Sequence, residues 1–110
     1  MYGFPKDLDL NCLVGTHIPQ LRFGIGDVQI IFICDATLCV QGEIDVFFDG
    51  EVISSWRQES LWSSLAFQKL YNKVVRKVGF PNDRILEIQL EDNLCVRIYD
   101  NRDHYESLQI

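Results

Sequence analysis

Alternating apolar and polar positions, in runs bounded by Gly, Asp, Asn or Pro, are the main pattern along the chain. They predict β-strands separated by tight turns. Most of these runs are rich in β-branched and aromatic residues, which favour strands. The predicted strands cover residues 17–23, 28–34, 38–48, 51–56, 73–80, 85–91 and 94–100, with a final short strand that ends at Ile110.

Two dipeptides between these runs predict tight hairpin turns. Asp49-Gly50 is the stronger signal, because both central positions of a type I′ turn need a positive φ. It should fold residues 51–56 back onto the end of the preceding strand. Asp92-Asn93 is the second such turn and should join residues 85–91 to residues 94–100.

One segment departs from the strand pattern. Apolar residues recur at steps of three and four between Leu61 and Tyr71, and neither Gly nor Pro interrupts residues 57–78. Ser60 or a neighbour can cap the start of a helix. We therefore predict an α-helix from about Ser60 to Tyr71.

The tripeptide Leu-Cys-Val occurs twice, at residues 38–40 and 94–96, each time after an aspartate and a turn. Residues 13–35 align with residues 70–92 at a shift of 57 positions, and dropping one residue in the next turn brings residues 38–40 onto residues 94–96. Apolar positions then coincide along three predicted strands. This indicates a repeated three-stranded meander, although amphipathic hairpins can also align by chance. Two such units and a helix could bury their apolar faces together.

The chain length and patterning predict one domain over residues 1–110. We expect an α+β fold: mostly antiparallel β-meanders, formed by two pseudo-repeated three-stranded units, packed with one central helix. The chain has 110 residues and is 47% hydrophobic, which suits a single domain with a core.

Charge is unevenly distributed along the sequence. The net charge is −6; residues 1–55 hold eight acids and two bases, whereas residues 56–110 are balanced. An excess of negative charge repels nucleic acid and anionic membranes and attracts cationic partners. The alternative is that this charge serves solubility alone. No apolar run is long enough to span a membrane and the first residues do not form a secretory signal, so we expect a cytoplasmic protein with no direct nucleic-acid or membrane contact.

Candidate chemistry is sparse. Cys12, Cys34, Cys39 and Cys95 form no C-x-x-C pair, and His17 and His104 lie far apart in the sequence. Cysteines within apolar strands mostly act as small buried hydrophobes. We therefore expect no metal, no cofactor and no enzymatic activity. The alternative is a nucleophile–base pair built from Cys39 or Cys95 with one of the histidines.

An aromatic pair among acids is the best candidate for a binding surface. In an alternating strand, one of Phe47 and Phe48 must face away from the core. An exposed aromatic surrounded by carboxylates suits a protein–protein interface. The predicted partner-binding residues are Asp45, Phe47, Asp49, Glu51 and Glu59.

Three stretches, "LVGTHIPQLRF", "LAFQKLYNKVV" and "IYDNRDHYESLQI", resemble a family of small bacterial proteins of unassigned function with immunity-protein-like members. In the last stretch Tyr105-Glu106-Ser107 fits the family pattern, while Leu108 stands where tryptophan is common. The resemblance implies a compact α+β fold, no known catalytic residues and a toxin as partner.

The leading hypothesis is a cytoplasmic immunity protein of a contact-dependent growth inhibition system. Such a protein would bind and occlude a cognate toxin domain, expected to be a basic nuclease, while remaining a monomer or weak dimer. Its acids would pair with toxin lysines and arginines. The first alternative is a structural or regulatory protein that self-associates through a sheet edge. A small-molecule binder is the second.

Overall fold

The fold is that of a computed structural model, which describes residues 13–24, 27–32, 37–40, 42–57, 61–82, 84–99 and 108–109. These residues form mostly β-structure, with one short helix of the 3₁₀ type at Leu65–Leu70. The strands are β1 Gln20–Gly24, β2 Asp27–Ile31, β3 Thr37–Val40, β4 Glu43–Phe48, β5 Glu51–Arg57, β6 Leu61–Trp62, β7 Val75–Asn82, β8 Ile85–Leu90, β9 Leu94–Tyr99 and β10 Leu108–Gln109.

The strands form two antiparallel sheets. The smaller sheet has the order β1-β2-β3-β10, and the larger has the order β6-β5-β4-β9-β8-β7. The residues before β1 run alongside those before β7: the Gly15 N–H donates to the Val75 carbonyl and the Asn72 N–H donates to the Ile18 carbonyl, at 2.8 and 2.7 Å. These bonds tie the entry of the smaller sheet to the larger one.

One hydrophobic core lies between the two sheets. Every second residue of the central strands β8 and β9 is buried, which is the period of a strand with one face on a core. Trp56 and Phe32 are the largest fully buried side chains. Both sheets contribute, with Val28, Ile30, Leu38 and Val40 from the smaller and Ile44, Val46, Leu86, Ile88, Val96 and Ile98 from the larger.

Both tight turns that the sequence predicts are present. Asp49 and Gly50 have φ values of 52° and 84°, as a type I′ turn requires. Asp92 and Asn93 both have a φ of 62°, and the Leu94 N–H donates to the Glu91 carbonyl across them at 3.3 Å. The residue types of these turns were sufficient to place them.

The predicted α+β fold with a central helix is wrong, because residues 61–70 do not form an α-helix. Leu61 and Trp62 pair with the edge of β5 as a short strand. Ser63 and Ser64 then bond to β5: the Ser55 N–H donates to Ser63 Oγ, and Ser64 Oγ donates to the Ile53 carbonyl. Serines that bond to nearby backbone favour turns and caps over helix interiors.

The short helix that remains starts at this serine pair. Ser64 Oγ accepts a hydrogen bond from the Ala66 N–H and so caps it. Phe67 and Leu70 are buried, and Trp62 stacks on Phe67 with ring centroids 4.5 Å apart. The apolar spacing therefore predicted the buried Phe67 and Leu70 correctly, but it was wrong about the secondary structure and about Leu65, which is 71% exposed.

The aligned segments of the predicted repeat both form three-stranded antiparallel meanders, β1–β3 and β7–β9, in different sheets. Their faces correspond in only part of the alignment: Leu38 and Val40 of β3 and the aligned Leu94 and Val96 of β9 are all buried. Val28 and Ile30 of β2 are buried, whereas the aligned Ile85 and Glu87 of β8 lie opposite its buried side. Register shifts in β7, between residues 75 and 77 and between residues 79 and 82, interrupt the pairing in the second meander. The repeat thus holds for the strand order and for the buried face of the third strand, and it fails at the second strand.

Candidate protein-binding face

The strand period gives the larger sheet a second face, turned away from the core, which we name the outer face. Its side chains are in register across five strands. They are half-buried or exposed, and they mix charged, aromatic and polar groups. The outer face consists of Glu43, Asp45, Phe47, Val52, Ser55, Arg57, Lys77, Ile85, Glu87, Gln89, Cys95, Arg97 and Tyr99.

Arg57 organises one side of the outer face. Its Nη2 lies 3.2 Å from Asp45 Oδ1, and its Nε lies 3.3 Å from Glu43 Oε2. Its Nη1 donates to the carbonyls of Ile44 and Trp56 at 3.2 and 3.0 Å. One guanidinium thus bonds to two strands at once, which its planar fork of donors allows.

Asp45 is held by further contacts on the same side. Ser55 Oγ donates to Asp45 Oδ1 at 2.7 Å, and the Asp45 side chain is only 14% exposed. Burial, together with a hydrogen bond to Asp45, raises the pKa of the Tyr99 hydroxyl. Asp45 is therefore a member of an internal network and is not the free surface carboxylate that the sequence predicts.

Arg97 occupies the centre of the outer face. Its Nε lies 3.0 Å from Glu87 Oε2, and its guanidinium carbon lies 5.4 Å from the centroid of the Phe47 ring. Gln89 Nε2 donates to the other oxygen of Glu87 at 2.8 Å. This bond from Gln89, followed by the charge of Arg97, lowers the pKa of Glu87. Phe47 lies on the outer face, where a cation covers its ring. The sequence predicted only that one of Phe47 and Phe48 faces away from the core, and Phe48 is the more exposed of the two.

Two depressions flank the centre of the outer face. The larger, which we name the hollow, has a volume of about 480 Å³ and is open to solvent. Its lining includes Asp49, Glu87, Gln89, Asn93 and Cys95. The smaller, of about 200 Å³, shares Glu87 and Gln89 and is otherwise lined by Lys77, Gly79, Phe80 and Pro81. Together they form a shallow trough across β8.

The tip of the β4–β5 hairpin forms one end of this trough. The Asp49 N–H donates to the Asn93 carbonyl at 3.1 Å, which joins the two tight turns. Asp49 and Glu51 are exposed, and within the described residues neither forms an ion pair. Of the predicted partner-binding residues, four thus lie on or beside the outer face, and Glu59 lies outside the described residues.

The described residues do not carry the negative excess that the sequence shows. Eight of the sixteen acids and eight of the ten basic residues fall within them, so their formal charges balance. Ion pairs such as Lys73 with Asp92 and Arg97 with Glu87 combine several of these charges locally. Within the first half of the chain, however, the described residues still hold five acids against one base, Arg22. Arg57 pairs with two of these acids, Glu43 and Asp45, and so offsets part of this local excess.

Sequence reasoning missed the main members of the outer face, namely Arg57, Glu87, Arg97 and Tyr99. A signal for one pair was available. The turn at Asp92-Asn93, combined with strict alternation, places Glu87 opposite Arg97 on the polar side of the hairpin. No local signal places Arg57 beside Glu43 and Asp45, because that contact depends on the register shift after Val46.

The alternative nucleophile–base pair receives no support at Cys95. Burial, and then the charge of Glu87, raises the pKa of the Cys95 thiol to about 11, which leaves it as an unreactive thiol at neutral pH. His17 lies on the segment that bridges to Val74. The side chains of Cys39 and His104 are outside the described residues.

Three negative findings complete the description of the site. Among the described residues, no three His, Cys, Asp or Glu side chains are grouped so that they could hold a metal ion. In the same part of the chain, no helix has the length and apolar character needed to cross a membrane. No family, no curated protein and no solved structure matches the chain. The resemblance to immunity-protein-like families therefore stays a prediction.

Proposed function

We propose that this chain is a binding protein without catalytic activity, and that it docks a partner protein on the outer face of the larger sheet. The observation that carries this proposal is the set of Phe47, Arg97 and Tyr99 on one open sheet face. Aromatic and arginine side chains dominate the binding energy of many interfaces. Here they are held in place by neighbours before any partner arrives.

Preorganisation supports this proposal energetically. Arg97 is fixed between Glu87 and the Phe47 ring, so little of its side-chain freedom is left to lose on binding. Val52, at 52% exposure, adds apolar area at the rim beside Phe47, its cross-strand neighbour. The trough is open and shallow, which suits a protein surface better than a small molecule, since small ligands favour enclosed cavities.

The partner class we carry forward is a basic toxin domain that a cytoplasmic immunity protein would occlude. Asp49 and Glu51 at the hairpin tip supply carboxylates free of ion pairs within the described strands. Opposite charges at the rim of an interface speed association and fix orientation. In this proposal, Asp49 and Glu51 at the hairpin tip supply the electrostatic attraction for the partner. Asp45 contributes indirectly, through its bonds to Arg57 and Tyr99 on the outer face.

Self-association through a sheet edge is less well supported. β7 is the long edge strand of the larger sheet, and it carries the exposed bases Arg76 and Lys77, Pro81 and two register shifts. Charges, proline and bulges are the features by which edge strands avoid pairing with other chains. The opposite edge, β6, is only two residues long.

The test is binding to any toxin domain that a gene adjacent to this one encodes, with two matched variants. Val52→Arg blocks the outer face, whereas Val14→Arg places the same side chain at a similarly exposed valine, 43% exposed, outside the outer face. We expect the Val14→Arg protein to bind and neutralise the toxin like the wild type, and Val52→Arg to bind at least about tenfold more weakly.

Two results would overturn the proposal. One is that neither the wild-type chain nor Val14→Arg forms a complex with that toxin domain. The other is that Val52→Arg binds as tightly as Val14→Arg, with both variants shown to be folded by their unfolding midpoints.

A further inference from the structure

We propose that the hollow receives an arginine side chain of the partner protein; this inference rests on the proposed function and specifies how the outer face recognises its partner. The hollow lies between the two tight turns and the centre of β8. Among the described residues, its lining contains the acids Asp49 and Glu87 and the amides Gln89 and Asn93, and no basic residue.

The acceptors in the hollow are partly unused. Gln89 donates its Nε2 to Glu87, which leaves the Gln89 carbonyl oxygen as an acceptor. Glu87 accepts bonds from Gln89 and Arg97, one at each oxygen, and the Cys95 thiol also bonds to it, whereas a carboxylate can accept about four. Asp49 forms no ion pair within the described residues. A guanidinium, with five donors in one plane, matches several separated oxygens better than an ammonium does.

The local charge also favours a cation. Asp49 and Glu87 bring two negative charges to the hollow, and Arg97 offsets one of them through its contact with Glu87. Lys77 lines the neighbouring depression, on the far side of Gln89, and acts on Glu87 only weakly. The thiol of Cys95 is neutral and adds no charge. The unbalanced charge is therefore concentrated at Asp49, where a partner cation would enter.

Glu51 provides an internal control for this inference. It lies two residues from Asp49, on the same hairpin tip, and is also exposed, but it does not line the hollow. A general attraction of the hairpin tip for cations would use both acids equally. A specific arginine site would depend on Asp49 alone.

The experiment uses a small probe, so that it does not require the toxin. The peptide acetyl-Gly-Arg-Gly-amide is titrated into ¹⁵N-labelled protein, and the citrulline peptide, which has the same shape without the charge, is titrated in parallel. We expect the arginine peptide to shift the backbone amides of Gly50, Gln89 and Asn93. Asp49→Asn should weaken this binding about fivefold, the size of one exposed charge pair, and Glu51→Gln should leave it unchanged.

Three results would overturn the inference: no shift at any peptide concentration, equal shifts with the citrulline peptide, or equal losses in Asp49→Asn and Glu51→Gln. The same variants separate this inference from the proposed function. If the toxin domain binds and Asp49→Asn changes neither probe nor toxin affinity, the arginine site is wrong and the binding function stands. If the probe binds and the toxin domain does not, the arginine site stands and the proposed partner is wrong.

Discussion

Individual side chains on the outer face are fixed by their neighbours, and this is clearest for Arg57. It bonds to two carboxylates and two backbone carbonyls, and it leaves Asp45 with 14% exposure. Removing such a residue leaves a partly buried carboxylate without its main partner, which costs more than the loss of an exposed ion pair.

We therefore expect Arg57→Met to lower the free energy of unfolding by about 1–2 kcal/mol. The matched control is Arg76→Met, because the Arg76 side chain is 66% exposed and its Nη2 lies as far as 4.0 Å from Glu91 Oε2. This substitution should lower the free energy of unfolding by less than about 0.5 kcal/mol. Urea unfolding at neutral pH measures both. Equal losses in the two variants would show that the Arg57 network contributes nothing beyond an ordinary surface arginine.

Cys95 allows a pH prediction at the same scale. Its folded pKa is about 11, above the ordinary value of 9.0, because burial disfavours the thiolate. Iodoacetamide needs the thiolate, so peptide-resolved labelling of Cys95 at pH 8 should be much slower in the folded chain than in urea. Since the folded pKa is the higher one, this group's contribution to stability is fully present below pH 9 and is lost as the pH rises toward 11. Labelling at the unfolded rate would contradict this.

At the scale of elements, the β4–β5 hairpin depends on the backbone of its turn. Gly50 has a φ of 84°, a conformation that costs a residue with a side chain about 1 kcal/mol or more. Gly50→Ala should therefore destabilise the chain by about 1 kcal/mol. Gly79→Ala is the control, because a Cβ at Gly79 meets nothing within 4 Å and its φ is not positive. The prediction fails if chemical unfolding ranks the two variants equally.

The edge strand β7 carries the second prediction for an element. If Arg76, Lys77 and Pro81 keep this edge from pairing, the triple variant Arg76→Thr, Lys77→Thr, Pro81→Val should self-associate, while the wild-type chain stays monomeric. Light scattering over a range of concentrations measures both. A wild-type dimer that the triple substitution leaves unchanged would instead favour another self-association surface.

Elements also show what the sequence could and could not predict. Asp49-Gly50 and Asp92-Asn93 were predictable because positive φ is a local demand on residue type. The segment at Leu61–Leu70 was not, because pairing of Trp62 with β5 and the bonds of Ser64 to Ile53 are tertiary contacts that override helical spacing. In the candidate site, alternation predicted that one of Phe47 and Phe48 faces away from the core but did not select between them, and the contact of Phe47 with Arg97 required the register of β4 against β9.

At the scale of the whole molecule, two sheets share one core, and the second face of the larger sheet carries half-buried and exposed side chains. The balanced charge of the described residues limits long-range steering by this part of the chain. Recognition would then depend on short-range contacts at Phe47, Arg97 and the hollow. A chain of this size can present such a face on a rigid sheet without enclosing a cavity.

The most direct test of this account is nuclear magnetic resonance cross-saturation on a complex with the proposed toxin partner, which reports the amides closest to that partner. We predict saturation of amides along β4, β8 and β9, including those of Phe47, Gln89 and Cys95, and little along β1 and β2. Saturation centred on β1 and β2, or along the edge β7 alone, would contradict the assignment of the outer face as the binding surface.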